Sequence, residues 1–554
     1  METSLEKAKQ WTQNCLDTHK QCNSFGQSDE LLPELPRRVI DVIPLDSDGS
    51  VRIIEPAGLR AHYLCLSHCW GKTSLPLETT KQNIQEHSEG IPLDILPKTF
   101  QDAVDFVRRL GQRYLWIDSL CIIQDDFDDW RYHAVHMAEI YQNSYLALAA
   151  AASRNSSEGL YRVNEGYQAS SITVEQAKGD LHTVFCRDRI AHWYRQTEYC
   201  TYDDTLEGST GAVWPLLNRG WVLQERLLSP RVLHFGHAEL LWECYEDFRC
   251  ECNEGVVEWS DYYPKLRHGR SLDKHIVDDR PEIWRDIVQQ FTSLDITKPG
   301  DRLPALQGIA TQLFRELEPL KVVSGLWQGT ILSDMLWGVR SQELSDKRRW
   351  RTAEWRVPSW SWACMDTPVS YSPDPQIVEE HATVDRFDVS QDNMGNATIV
   401  KVASLTISAS ILPARVMYDP SAYRDTLSLE LLDAKHPFCG SVHRVSEAMG
   451  FCIPDWQWSD AGLHHVANGT DAYCILIATL RHNDDTIDYG IIIRCVDESS
   501  GCYERIGLLY RPWFPITDAN IPQQRPEQSF LTAYEPDVLK ELFKDAERKT
   551  LTLV

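Results

Sequence analysis

The chain has 554 residues, with 55 Lys and Arg against 81 Asp and Glu, a formal net charge of −26 and a pI near 5.1. So acidic a surface repels phosphate backbones, which excludes nucleic acid as a bulk partner while leaving room for a local basic pocket that holds a small phosphate ligand. At roughly 100–200 residues per domain, the length accommodates two to four domains or one composite body. The 19 Trp supply aromatic area for a large core. Met1 to Lys20 is polar and carries no signal-peptide core, and no apolar run reaches the ~20 residues that cross a bilayer. The expected location is the cytoplasm, with no membrane partner and the 16 Cys kept as thiols.

In chain order, Leu5 to Cys22 reads as a short helix. Arg38–Ile43 and Val51–Glu55 are β-rich runs around Asp48-Gly49, a hairpin signal. Tyr63–Ser67 is a short apolar strand. Thr99–Leu110 follows as a helix with Phe100, Ala103, Val104, Val107 and Leu110 on one face. Thr99 and Asp102 resemble a capping box, and Gly111 stops the helix. Tyr114–Ile117 is a second strand. A further helix places Trp130, Ala134, Met137, Ala138 and Tyr141 on one face, and Tyr145–Ala152 is a third strand. Strand, helix, strand, helix, strand is the grammar of a parallel sheet. Residues 156–215 read as an irregular polar insertion, and Arg231–Trp242 as two short strands turning at Gly236-His237. Residues 255–345 look mainly helical. Thr398–Ile411, Tyr473–Leu480, Tyr489–Cys495 and Gly507–Tyr510 are strand-like, and Pro536–Lys549 reads as a terminal helix. Trp360 and Trp362 alternate, which puts both rings on one strand face.

Three segments stand out. They are Tyr63-Leu-Cys-Leu-Ser-His-Cys-Trp-Gly71; Leu115-Trp-Ile-Asp-Ser-Leu-Cys-Ile-Ile-Gln-Asp125, with Trp130 and Met137-Ala-Glu-Ile-Tyr141 after it; and Arg219-Gly-Trp-Val-Leu-Gln-Glu-Arg-Leu-Leu-Ser-Pro-Arg231. In this order they resemble the three blocks of the fungal heterokaryon-incompatibility (HET) domain. Trp11, Cys15, His19 and Cys22 resemble the N-terminal lead of full-length members; Asp301–Leu306, Gly325–Trp327 and Val357–Trp362 resemble their downstream segments. Ile122-Ile123-Gln124 departs from the Ile-Asn-Gln of many members. The resemblance implies an α/β fold whose parallel sheet is distantly similar to Toll/interleukin-1 receptor domains, some of which cleave NAD+. It also implies a role in non-self recognition and programmed cell death. The expected layout is a helix and hairpin lead over 1–59, the HET domain over 60–235, a mainly helical segment over 236–350, and a β-rich region with a terminal helix over 351–554.

Ligands of an open parallel sheet bind beyond the carboxyl ends of the strands. Ser67 to Gly71 and Asp118 to Cys121 follow two such strands, so Ser67, His68, Trp70, Gly71, Asp118, Ser119 and Cys121 are pocket candidates, with Gln124 beside them. Asp118 needs a partner if buried, and Arg219 and Arg226 are the candidates, against the alternative of an ion pair that only holds the fold. Trp221, Gln224 and Glu225 share a helical turn. A carboxylate facing the ribose stabilises the oxocarbenium-like state of N-glycosidic cleavage. Glu225 is the first candidate for that role and Asp118 the second, against the alternative of a Glu that merely pairs with Arg. Cys121 with His68 is a further catalytic candidate as a thiol nucleophile, against the alternative of a buried apolar filler. Cys15, His19 and Cys22 share a helical face in a spacing compatible with metal ligation, but no fourth ligand is evident, so no metal is assigned and a packed face of thiols is the default.

No phosphate-binding glycine loop, zincin or serine-hydrolase motif is present in the sequence. Three functions stay open. One is an incompatibility and cell-death effector that hydrolyses NAD+ or a related nucleotide as substrate, with no cofactor evident. Another is a non-catalytic interaction module. The last is a scaffold recruited to small-molecule metabolism. The expected ligand is a nucleotide or other small molecule, and the expected macromolecular partner is a second copy or another protein.

Overall fold

Short apolar strands alternating with amphipathic helices wind a sheet with helices on both faces. The computed structural model describes residues 2–23, 32–44, 49–71, 77–162, 170–175, 181–186, 214–252, 264–272, 279–314, 322–339, 357–371, 376–389, 399–400, 402–417, 428–432, 451–455, 465–482, 485–497, 499–510 and 543–554. They fall into two units. One comprises Met1–Ile283, Leu294–Ile296 and Pro304–Leu313; the other Trp284–Ser293, Thr297–Leu303 and Phe314–Val554.

In the first unit the helices are α1 (Glu2–Thr18), α2 (Lys20–Asn23), α3 (Ile84–Glu89), α4 (Lys98–Arg109), α5 (Asp118–Cys121), α6 (Phe127–Gln142), α7 (Gly220–Leu228) and α8 (Pro264–Ser271). The strands are β1 (Val39–Asp41), β2 (Arg52–Ile54), β3 (Tyr63–Ser67), β4 (Tyr114–Ile117), β5 (Leu146–Ala149), β6 (Ser170–Glu175), β7 (Leu181–Cys186), β8 (Arg231–Phe235), β9 (Leu240–Cys244) and β10 (Phe248–Cys250). Apart from the β6–β7 hairpin they form one sheet in the order β10-β9-β8-β5-β3-β4-β1-β2. The centre, β8, β5, β3 and β4, is parallel. The expected hairpin of β1 and β2 is present, and β1 also adds antiparallel to β4. The expected turn residue Asp48 lies outside the described residues.

Every residue of β3, β4 and β5 is buried, which accounts for apolar runs without alternation. After β3 the chain crosses to β4 on one side, then returns to β5 on the other. The winding therefore reverses between β3 and β5, a topological switch point. The mixed α/β character, parallel sheet and β-rich C-terminal part all match expectation.

Two local expectations need correction. The helix α4 starts at Lys98, so Thr99 and Asp102 already lie inside it and cannot cap it. Instead Thr99 Oγ1 accepts from Gly159 N–H at 3.1 Å and Asp102 from Leu160 N–H at 2.9 Å. Phe106 takes the buried place expected of Leu110, which is half-buried. Gly111, at φ +74°, does end the helix in the left-handed conformation that glycine favours.

In the second unit, Val402–Met417, Asp471–His482, Asp485–Asp497 and Cys502–Tyr510 form the strands expected, longer than their apolar cores. The described part of the expected terminal helix, residues 543–549, is not helical. Residues 536–542 lie outside the described residues, and Glu547–Leu553 is a strand paired antiparallel with Val402–Met417, Leu551 and Leu553 being its buried residues. Alternation at 551 and 553 outweighs the helix-favouring Glu, Arg and Lys before it. Trp360 and Trp362 are buried but share no strand: Ser361 accepts from Ala363 N–H and opens a short 3-10 turn at Trp362.

Candidate functional site

Helix α7 delivers Glu225 to the switch point. Ser67, the last residue of β3, donates its hydroxyl hydrogen bond to the Glu225 carboxylate. The Tyr141 hydroxyl of α6 is a second donor to it. Glu225 is 7 % exposed. Burial pushes its carboxyl up to about 7, helped by the charge of Asp118 and opposed by the Ser67 bond, Arg219 and Tyr141. Beside it, a cavity with room for about one water molecule lies between Ser67, Ala147, Ala149, Val222 and Val232.

Asp118 opens α5 at the carboxyl end of β4, with its side chain 23 % exposed. It accepts from the Trp70 indole N–H at 2.9 Å and from Ser119 N–H at 2.7 Å. Gly71, after Trp70, adopts φ +87°, a conformation that a glycine takes without strain. Gln124 braces the turn by donating to the carbonyls of Asp118 and Ile122, each at 3.1 Å. Arg219 donates to the His68 carbonyl at 2.8 Å.

Ser67 is thus bonded to Glu225 and Trp70 to Asp118, while Gln124 and Arg219 hold the backbone at Asp118 and His68. His68 packs edge-on to Phe100, 4.9 Å between centroids, and its Nδ1 stands 3.7 Å from Asp118. Burial lowers its pKa and keeps it neutral. Cys121 is fully buried, and burial pushes its thiol up to about 12, the reverse of what a thiolate nucleophile needs. Its carbonyl accepts from Arg38 at 2.8 Å. Ser119 is buried, and Trp221 is half-buried on α7. Gln224 accepts from Gly308 N–H at 3.0 Å.

The expected pairing of Asp118 with Arg226 is overturned. Arg226 binds Glu243 of β9 through two bonds of 2.7 and 2.8 Å, and His234 approaches the same carboxylate at 3.1 Å. Glu243 is buried; desolvation is outweighed by the Arg226 charge, which holds it well below the usual carboxylate range. Nothing local in the sequence marks Glu243. Tyr141 is legible only as the end of the second of the three segments, with no sign that its hydroxyl reaches Glu225.

Residues 63–225 match the family model described as Heterokaryon incompatibility protein (HET). No curated protein and no solved structure matches the chain.

Proposed function

We propose, from the HET domain that residues 63–225 carry, that this protein is a heterokaryon-incompatibility factor of fungal non-self recognition that triggers cell death by hydrolysing NAD+ or a related nucleotide. The observation that carries the reading is a carboxyl group held near neutrality at the switch point: Glu225, bonded to Ser67 and Tyr141, with Asp118 beside it. In its ionised form a group balanced near pH 7 both stabilises an oxocarbenium-like ribose and takes the proton of the attacking water, which it then releases to solvent. Asp118, nearer the solvent and fixed by two N–H donors, is the second carboxylate. Water adds to the ribose carbon, the N-glycosidic bond breaks, and nicotinamide leaves. Substrate entry requires movement of the Trp70 loop or α7, because the cavity at Glu225 admits only water; assembly of copies is the trigger this reading expects.

The same closed cavity favours a second reading, in which Glu225 is a core carboxyl and the domain acts by binding another protein. A small-molecule enzyme has less support. The cavity bordered by Phe106, Tyr161 and Phe235 measures about 140 Å³, below the roughly 300–1,000 Å³ usual for ligand pockets.

Nicotinamide release from NAD+ by the purified chain separates these readings, measured over a range of protein concentrations beside Glu225→Gln and Asp118→Asn variants checked by circular dichroism. Release lost in either folded variant supports hydrolysis. No release at any concentration transfers the weight to the binding module.

A further inference from the structure

Cys15 and His19 sit at the end of α1 and in the joint after it, and Cys22 lies in α2. The sheet supplies what the N-terminal sequence lacks. Cys244, the last residue of β9, brings its sulfur to the same point, 3.3 Å from His19 Nδ1 across 225 residues of chain. The three sulfurs and the imidazole nitrogen all lie within 4.8 Å of one another. A tetrahedral zinc, with bonds of ~2.3 Å to sulfur and ~2.0–2.1 Å to nitrogen, holds its donors roughly 3.5–3.8 Å apart. The four donors are therefore already gathered to the size of one coordination sphere.

We propose that Cys15, His19, Cys22 and Cys244 bind one structural zinc ion, which clips the N-terminal helices to β9. The donor set selects the metal: three thiolates and one imidazole in tetrahedral array suit zinc rather than a hard cation. All four positions come from the protein, so the ion takes no substrate. The three cysteines are fully buried and His19 half-buried, as a closed site requires. The surroundings carry the matching charge. A zinc with three thiolates has a net charge of −1, and Arg231 and Lys265, both fully buried, stand close enough for their fields to act on these cysteines. Arg231 also donates to the Cys22 carbonyl at 3.5 Å and to the Asn23 side chain, and so braces α2. A second thiol pair, Cys250 and Cys252, sits 2.9 Å apart with Glu239, but offers three donors rather than four.

The test uses the full chain, expressed in zinc-supplemented medium and dialysed against a weak chelator. Elemental analysis should find ~1 zinc per chain, retained in Cys252→Ser and lost in Cys244→Ser. Cobalt(II) added to stripped wild-type protein should give thiolate charge-transfer and tetrahedral ligand-field bands that zinc then bleaches, a readout that stands even if Cys244→Ser does not fold. Mass spectrometry after alkylation should show Cys15, Cys22 and Cys244 protected until a strong chelator is added. Metal-free wild-type protein, a disulfide between any two of the three cysteines, or zinc retained by folded Cys244→Ser would each overturn the proposal.

Discussion

Replacing Glu225 by Gln should stabilise the first unit at alkaline pH while leaving it unchanged in acid. In the fold the carboxyl keeps its proton up to about 7, against an ordinary value of 4.5, because burial disfavours the charged form. Between those values the folded state binds more protons than the unfolded chain, so stability falls as pH rises through the window. The contribution is complete below pH 4.5 and gone above about pH 7. At ~1.36 kcal/mol for each pH unit of that gap, the ionised Glu225 costs about 3 kcal/mol at pH 8. Gln keeps the shape and still accepts from Ser67 and Tyr141, yet has no charge to bury. Because the chain has two units, local hydrogen exchange is the appropriate assay: peptides covering residues 63–71 and 220–228, followed from pH 5 to 8. The variant's advantage should grow with pH and level off above 7. A difference flat with pH, or a variant less protected at pH 8, would refute the account of Glu225 as a buried, proton-binding carboxyl.

Arg226→Met should destabilise the first unit by ~3–5 kcal/mol, because it strands the buried Glu243 charge; denaturation followed by hydrogen exchange reads the loss. Cys121 should resist iodoacetamide at pH 8 in the native protein while the half-exposed Cys502 reacts, as mass spectrometry of alkylated peptides will show; rapid native labelling of Cys121 would restore it as a nucleophile. Gly325→Ala should cost the second unit ~1–3 kcal/mol in chemical denaturation, since φ is +93° and the added carbon would stand 2.9 Å from the Trp362 ring.

The strands Tyr63–Ser67 and Tyr114–Ile117 and the helices beside them were legible because burial imposes a local period, and local periods are written in neighbouring residues. That the loops after both strands lie at the same end of the sheet also followed, from the rule that parallel strands end on one side, and His68 stands 3.7 Å from Asp118 there. Helix and strand were confused at Glu547–Lys549, where local propensity opposed a pairing made with residues far away in the chain. The partners of charged side chains were illegible for the same reason. Arg226 finds Glu243 rather than Asp118 because β9 lies two strands from β5 and three from β3, an order that no local pattern states. The same long-range order brings Cys244 to Cys15, His19 and Cys22, and sets Ser67 and Tyr141 around Glu225. Sequence thus determined which residue types lie in which elements. Tertiary structure alone decided which carboxyl is buried near neutrality, because desolvation is a sum over everything packed around it.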